Sequence, residues 1–179
     1  MKELEVKVLK INKEEIEKRI LSIDAELVKD EYQYNYTFDT EERYLKKNYN
    51  GYLRIRKTVS RDKKEKIELT LKRNIPDNDI RKNFENNLQI DNLEEGIKIL
   101  EVLGYKLFHT GEKHRKSYKY KEIIFEIDTW DKETYPYPYM EIEVSCKEDI
   151  DKALVLLGLD EDSITTKSLE ELRVEEFGK

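Results

Sequence analysis

Near its start the chain reads ELEVK, with Glu3, Glu5 and Lys7 alternating with Leu4, Val6 and Val8. On a strand that period puts charges on one face and apolar groups on the other. The design recurs. Arg54 and Arg56 stand opposite Leu53 and Ile55, and Glu68, Thr70 and Lys72 stand opposite Ile67, Leu69 and Leu71. Lys113, Arg115 and Ser117 share one face, Glu126 and Asp128 oppose Phe125 and Ile127, and Glu141 and Glu143 oppose Met140, Ile142 and Val144. Each strand alone is ordinary half-buried sheet with its polar side to water. The set is different, because most charged positions are same-sign pairs two residues apart. They are acidic on the first strand and the last two and basic on two others. Like charges along one face repel unless a group of opposite charge lies between them.

A ligand that is both metal and phosphate satisfies both kinds of pair. Glu3, Glu5, Glu141 and Glu143 offer hard oxygen donors suited to Mg²⁺ or Mn²⁺, which bind through few carboxylates plus water and substrate phosphates. Arg54, Arg56, Lys72, Lys113 and Arg115 offer the cations that neutralise a polyphosphate, the arginines by bidentate hydrogen bonds. Metal and cations together stabilise the charge that develops in phosphoryl transfer. The chain has neither a Walker-type loop nor a dinucleotide fingerprint, so the phosphate site must be built from strands.

The elements that would position these residues are legible from periodicity. Apolar stripes predict helices over 12–27, 92–104, 148–158 and 168–177, the second and third ending at Gly104 and Gly158. Asn12 with Glu15 and Ser168 with Glu171 have capping-box spacing. Eight strands are expected at about 2–9, 32–39, 50–59, 65–73, 83–90, 106–120, 122–129 and 138–146. SRDKKEK reads as a solvated hairpin loop and DKETYPYP as a Pro-punctuated connection. If eight strands close on themselves, the charged face becomes a lumen wide enough for side chains or one small ligand. The fold class is then α+β: an eight-stranded antiparallel closed β-barrel with flanking helices, one domain over 1–179.

Composition sets the outer limits. A net charge of -6 gives no continuous basic surface and speaks against nucleic acid as a partner. The single cysteine, Cys146, excludes an intrachain disulfide framework and, with no membrane-length apolar run, points to a cytoplasmic protein without membrane association. Cys146 itself reads as a helix-junction or core residue. His109 and His114, five apart on one strand, fall on opposite faces and do not share a metal. Trp130 and the tyrosines of YPYPY read as packing at one end of the barrel. Helices with exposed apolar edges would permit a homodimer.

The ordered motifs resemble one known family, the CYTH proteins, which include class IV adenylate cyclases, thiamine triphosphatases and other triphosphate tunnel metalloenzymes. ELEVK resembles their E-x-E-x-K signature, YQYNYTFDT their Q-x-x-x-Y-F-D-T strand, GYLRIRK their L-R-I-R element and LTLKR their T-x-K element. Glu85 in FENNL, EKHRKSY, and the closing FEIDTW and YMEIEV strands follow in family order. The resemblance implies a tunnel that binds the triphosphate of a small-molecule substrate, with Mg²⁺ or Mn²⁺ as cofactor. It places Glu3, Glu5 and Glu141 on the metal, with Glu143, Asp128 and Glu85 on the same acidic side. Arg54, Arg56, Lys72, Lys113 and Arg115 would hold the phosphates, and Lys7 would bind phosphate or help activate the attacking water. The implied activity is hydrolysis of tripolyphosphate, thiamine triphosphate or a nucleoside triphosphate. A cyclase forming cyclic AMP and pyrophosphate from ATP is the alternative, and a non-catalytic polyphosphate- or nucleotide-binding module is a third. The chain departs from the family pattern at Leu169, where relatives often carry Tyr, and at Asn87, where an acidic residue is common.

Overall fold

The computed structural model describes residues 2–75 and 81–178, and of these the side chains of all but 2, 3 and 81. In order the elements are β1 (Lys2–Val8), α1 (Lys13–Ser22), β2 (Glu26–Thr40), α2 (Tyr44–Tyr49), β3 (Gly51–Ser60), β4 (Glu65–Ile75) and β5 (Arg81–Ile90). Then come α3 (Leu93–Val102), β6 (Tyr105–Tyr120), β7 (Ile123–Trp130), β8 (Tyr139–Val144), α4 (Glu148–Leu157), β9 (Ile164–Thr165) and α5 (Leu169–Phe177). The strands run β5-β4-β3-β2-β6-β7-β8-β1, and β1 returns to β5 through pairs such as Lys2↔Phe84. All eight pairings are antiparallel, so the sheet closes into a barrel, which removes the unpaired edges of an open sheet. The two-residue β9 adds to β1 next to β5, beside Lys7 and Val8.

Alternation decides what faces where. Leu4, Val6 and Val8 of β1, Phe125 and Ile127 of β7, and Met140 and Ile142 of β8 pack against Ile16 and Ile20 of α1 and Ile150, Ala153, Leu154 and Leu157 of α4. On the other side Phe38, Ile55, Ile67, Leu69 and Ile90 lie beneath Leu93, Ile97 and Leu100 of α3. The apolar faces therefore point outward into helices, and the charged faces are left to line the barrel. Ile142 is fully buried beneath these helices, and truncation to Ala would cost about 2–5 kcal/mol of stability. A third cluster, Tyr135, Tyr139 and Leu172 with Leu9, Trp130, Tyr137 and Leu169, ties the 131–138 connection to α5 at one end of the barrel. That is the packing expected of Trp130 and the tyrosines.

Three features differ from the sequence expectation. The first helix ends at Ser22, because Asp24 turns into the left-handed region at φ 58° and the chain re-emerges as β2 from Glu26. Leu27, expected on the helical stripe, is a strand residue. The short α2 has Arg43 in the left-handed region at its N-cap and no cap from that side chain. Asp39 does the capping from β2, accepting from the Leu45 N–H at 2.9 Å and the Lys46 N–H at 3.0 Å. The third is β9, too short to leave a periodic signal. Three helix-end expectations hold: Asn12 caps α1 by accepting from the Glu15 N–H, the capping box at Ser168 and Glu171 forms, and Gly158 ends α4 with φ 61°. No helix among the described residues is long and apolar enough to cross a membrane.

Candidate triphosphate and metal site

The buried charges of the molecule lie almost entirely on the inward faces of these strands. Glu5 and Lys7 from β1, Arg54 from β3, Lys113 and Arg115 from β6, Glu126 and Asp128 from β7 and Glu141 from β8 are all buried. Going round the barrel, carboxylates gather on β7, β8 and β1, and cations on β3, β4 and β6. Burying so many charges is unfavourable unless each is paired or held for a ligand.

Among the described residues, the acidic side contains one grouping with metal-site geometry. Glu5, Glu141 and Glu143 each place a carboxylate oxygen so that all three lie within 4.8 Å of one another. Glu5 faces Glu143 across the β1–β8 ladder, and Glu141 faces Lys7. Oxygen donors at this spacing fit a hard divalent cation such as Mg²⁺ or Mn²⁺. Lys7 lies against the same carboxylates: its Nζ is 3.2 Å from Glu5 Oε1 and 3.1 Å from Glu141 Oε1. Against burial, Lys7, Arg115 and Lys113 hold the Glu141 carboxyl well below the usual range. Glu3 is on β1, its backbone opposite Asn83 of β5, but its side chain lies outside the described residues.

Asp128 and Glu85 stand apart from that grouping, each committed to cations. Asp128 accepts from Lys113 Nζ at 2.7 Å and from Arg115 Nε and Nη2, both at 2.6 Å. Arg115 also donates to Glu141 Oε2 at 2.7 Å and is paired with Glu126. Glu126 shares Asp128's face, as the alternation indicates, yet nothing in the sequence says that it meets Arg115. On the opposite side Glu85 Oε1 is 3.0 Å from Lys72 Nζ. Although burial pushes it up, Lys72 and Arg54 hold the Glu85 carboxyl down at about 2.

The two guanidiniums of β3 are treated differently from the cations of β6. Arg54 Nη2 is 3.9 Å from Glu85, beyond hydrogen-bond reach, and its buried Nε has no hydrogen-bond partner among the described residues. Arg56 donates from Nε to the neutral amide of Asn35 at 2.8 Å. Burial, with Arg54 and Arg115 nearby, brings Arg56 down to about 10. Lys113 falls to about 8 for the same reasons, burial first and Arg115 second. Arg54, buried, and Arg56, half-buried, are short of counter-charge and form a candidate anion site.

The lumen also carries neutral polar groups: Gln33 and Ser117, which the strand patterns include, and Asn35 of β2 and Asn83 of β5, which the sequence did not single out. Ser117 donates to Glu126 Oε1 at 2.8 Å. Asn87, the neutral residue at a commonly acidic position, accepts from Thr70 Oγ1 at 2.7 Å. Gly111 sits between His109 and Lys113 on the inward face, where a Cβ would come within 2.5 Å of Thr134 Oγ1. Beyond it the lumen opens into a cleft of about 770 Å³, bordered by Thr37, Tyr52, Phe108, His109, Leu169 and Arg173. The two histidines part as expected: His109 faces this cleft, and His114 pairs with Asp30 at 2.7 Å. Cys146 is exposed at the start of α4, its thiol 3.0 Å from Asp149.

With this geometry in view, comparison with known proteins is informative. The CYTH domain model matches residues 1–169. The fold is similar to that of the PH1819 protein of Pyrococcus horikoshii, at 23% identity and TM-score 0.81, over 97% of this chain and 99% of that one. It is similar to the PH1012 protein of the same organism, at 26% identity and TM-score 0.79, over 95% and 98%. HpAC1 of Hippeastrum is similar at 17% identity and TM-score 0.66, over 99% and 96%. No curated protein matches by sequence. The family match spans nearly the whole barrel and includes every strand that carries a lumen charge; the chain belongs to the CYTH domain family.

Proposed function

We propose that this protein is a divalent-metal-dependent triphosphatase that holds its substrate's phosphates inside the barrel. The observation that carries this is the segregation of the lumen, a carboxylate trio on one wall and under-neutralised guanidiniums on another. Arg54 and Arg56 receive the phosphates first, since neither is committed to a close carboxylate. Lys72, Lys113 and Arg115 complete the cationic lining, and Asp128 and Glu85 fix where those side chains stand. Glu5, Glu141 and Glu143 would hold Mg²⁺ or Mn²⁺, and Glu3 precedes Glu5 by two residues on β1. A divalent cation held there would neutralise phosphate charge and supply Lewis-acid polarisation of a phosphoryl oxygen.

In the reaction a water oxygen bonds to the terminal phosphorus as the bridging P–O bond breaks. The water proton is released and the charge left on the departing oxygen is met by the cations. Lys7 donates to Glu5, and we place it as a phosphate ligand rather than the proton acceptor. HpAC1, a candidate adenylyl cyclase of similar fold, has a dominant triphosphatase activity, which supports the reading of this chain as a hydrolase.

Purified protein with Mg²⁺ or Mn²⁺, given tripolyphosphate, thiamine triphosphate or ATP, tests it. Phosphate release without cyclic AMP is expected. Cyclic AMP with equimolar pyrophosphate from ATP would make it a cyclase, and no turnover of any substrate would make the barrel a binding module.

A further inference from the structure

Among the described side chains, Lys7 is the buried cation on the acidic wall's own strands, and its ammonium bridges two of the three carboxylates suited to a divalent ion. Its side chain is only 4% exposed, so it does not reach these carboxylates from solvent. It is built into β1 two residues beyond Glu5, on the same inward face, and directly opposite Glu141 in the ladder. Three carboxylates within 4.8 Å of one another, Glu5 and Glu141 buried and Glu143 half-buried, would repel one another strongly without a cation. We propose that Lys7 is the resident counter-ion of the metal site: it neutralises Glu5 and Glu141 in the metal-free protein, yields them to the incoming divalent cation, and turns its ammonium to the phosphates.

The proposal rests on the triphosphatase assignment and adds an order of events to it. With the metal absent, Lys7 is engaged by carboxylates and one phosphate ligand is missing from the lining. With the metal present, the carboxylates no longer need Lys7. Metal and triphosphate then bind with positive coupling, each tightening the other by the same factor, as linkage requires. Arg115, which donates to Glu141 Oε2 from the other side, stays anchored through Asp128 and Glu126 during the exchange. Lys7 is thus a cation able to change partner, because its ion pairs to Glu5 and Glu141 are to prospective metal ligands.

The experiment compares wild-type protein with Lys7→Met and Lys7→Gln. Mn²⁺ binding is followed without triphosphate by the loss of the free-ion paramagnetic resonance signal. Removing a competing ammonium should tighten Mn²⁺ binding, on the order of tenfold, and weaken its coupling to tripolyphosphate. A merely structural lysine would leave Mn²⁺ affinity unchanged or lower it, and that result overturns the proposal. Should both variants fold poorly, lysine side-chain NMR of the wild type decides: the Lys7 resonance must move when Mg²⁺ is added alone. A resonance that stays in place while Mg²⁺ binds overturns the proposal and leaves the triphosphatase assignment intact. Wild-type protein that binds neither Mn²⁺ nor tripolyphosphate overturns both.

Discussion

Asp128 is fully buried and holds Lys113 and Arg115 together through three bonds of 2.6–2.7 Å. Asp128→Ala removes the shared partner and leaves two buried cations facing each other. Losing one side of a buried pair costs about 3–5 kcal/mol. For a chain of this length, with about 2–4 °C of melting temperature per kcal/mol, that is a fall of about 6–20 °C. Part of the loss should be recoverable in a specific way. The freed cations are the ones assigned to phosphate, so tripolyphosphate should raise the melting temperature of Asp128→Ala more than that of wild type. Asp128→Asn, which keeps an acceptor for Arg115 but not the charge, should fall between the two. Thermal unfolding by circular dichroism, with and without tripolyphosphate, measures both effects. A loss below about 1 kcal/mol, in the range of exposed pairs, would refute the buried-pair reasoning. A full loss without preferential rescue would refute the link between these cations and phosphate.

Three further expectations follow from the same wall of charges. Glu85 is held at about 2, below the ordinary carboxylate value of 4.5. A depressed carboxylate contributes stability above its unfolded pKa and loses it as pH falls towards the folded one. Glu85→Gln should therefore be about 3 kcal/mol less stable at pH 7 and nearly equal to wild type near pH 2, read by denaturant unfolding at both. Lys113, at about 8, is charged below that pH and neutral above it, so kcat/KM for tripolyphosphate should decline above pH 8. Lys113→Arg, with a guanidinium that stays charged, should extend the plateau to higher pH; an unmoved alkaline limb would assign it elsewhere. Glu5→Gln should lower metal-dependent turnover at least about 100-fold while leaving the circular dichroism of the fold unchanged. Equal turnover in the variant would return Glu5 to an electrostatic role only.

Much of the fold was legible because alternation survives from sequence into structure. ELEVK, GYLRIRK, IELTLKR, FEIDTW and YMEIEV each keep the face assignment that their period dictates, since a closed barrel allows only one inward face per strand. What failed was local. The helical stripe through Leu27 is real as a pattern, but Asp24 adopts the left-handed conformation and ends it early. The six-residue α2 is too short for periodicity and depends on Asp39 from a neighbouring strand. The site was legible as a set of residues and not as a set of partnerships. Glu5, Glu141, Glu143 and Asp128 look alike along the chain. Only the barrel's curvature sets the first three beside one another and gives Asp128 to Lys113 and Arg115. Nor does sequence distinguish Arg54, whose Nε has no hydrogen-bond partner among the described residues, from Arg115, which has three carboxylates.

The most direct measurement is a crystal structure with Mn²⁺ and a non-hydrolysable tripolyphosphate analogue, using the anomalous signal of manganese. The expected map shows one manganese about 2 Å from oxygens of Glu5, Glu141 and Glu143, with phosphates between it and Arg54 and Arg56. Manganese and phosphate bound outside the barrel, with these side chains still paired among themselves, would contradict the assignment of the lumen as the site.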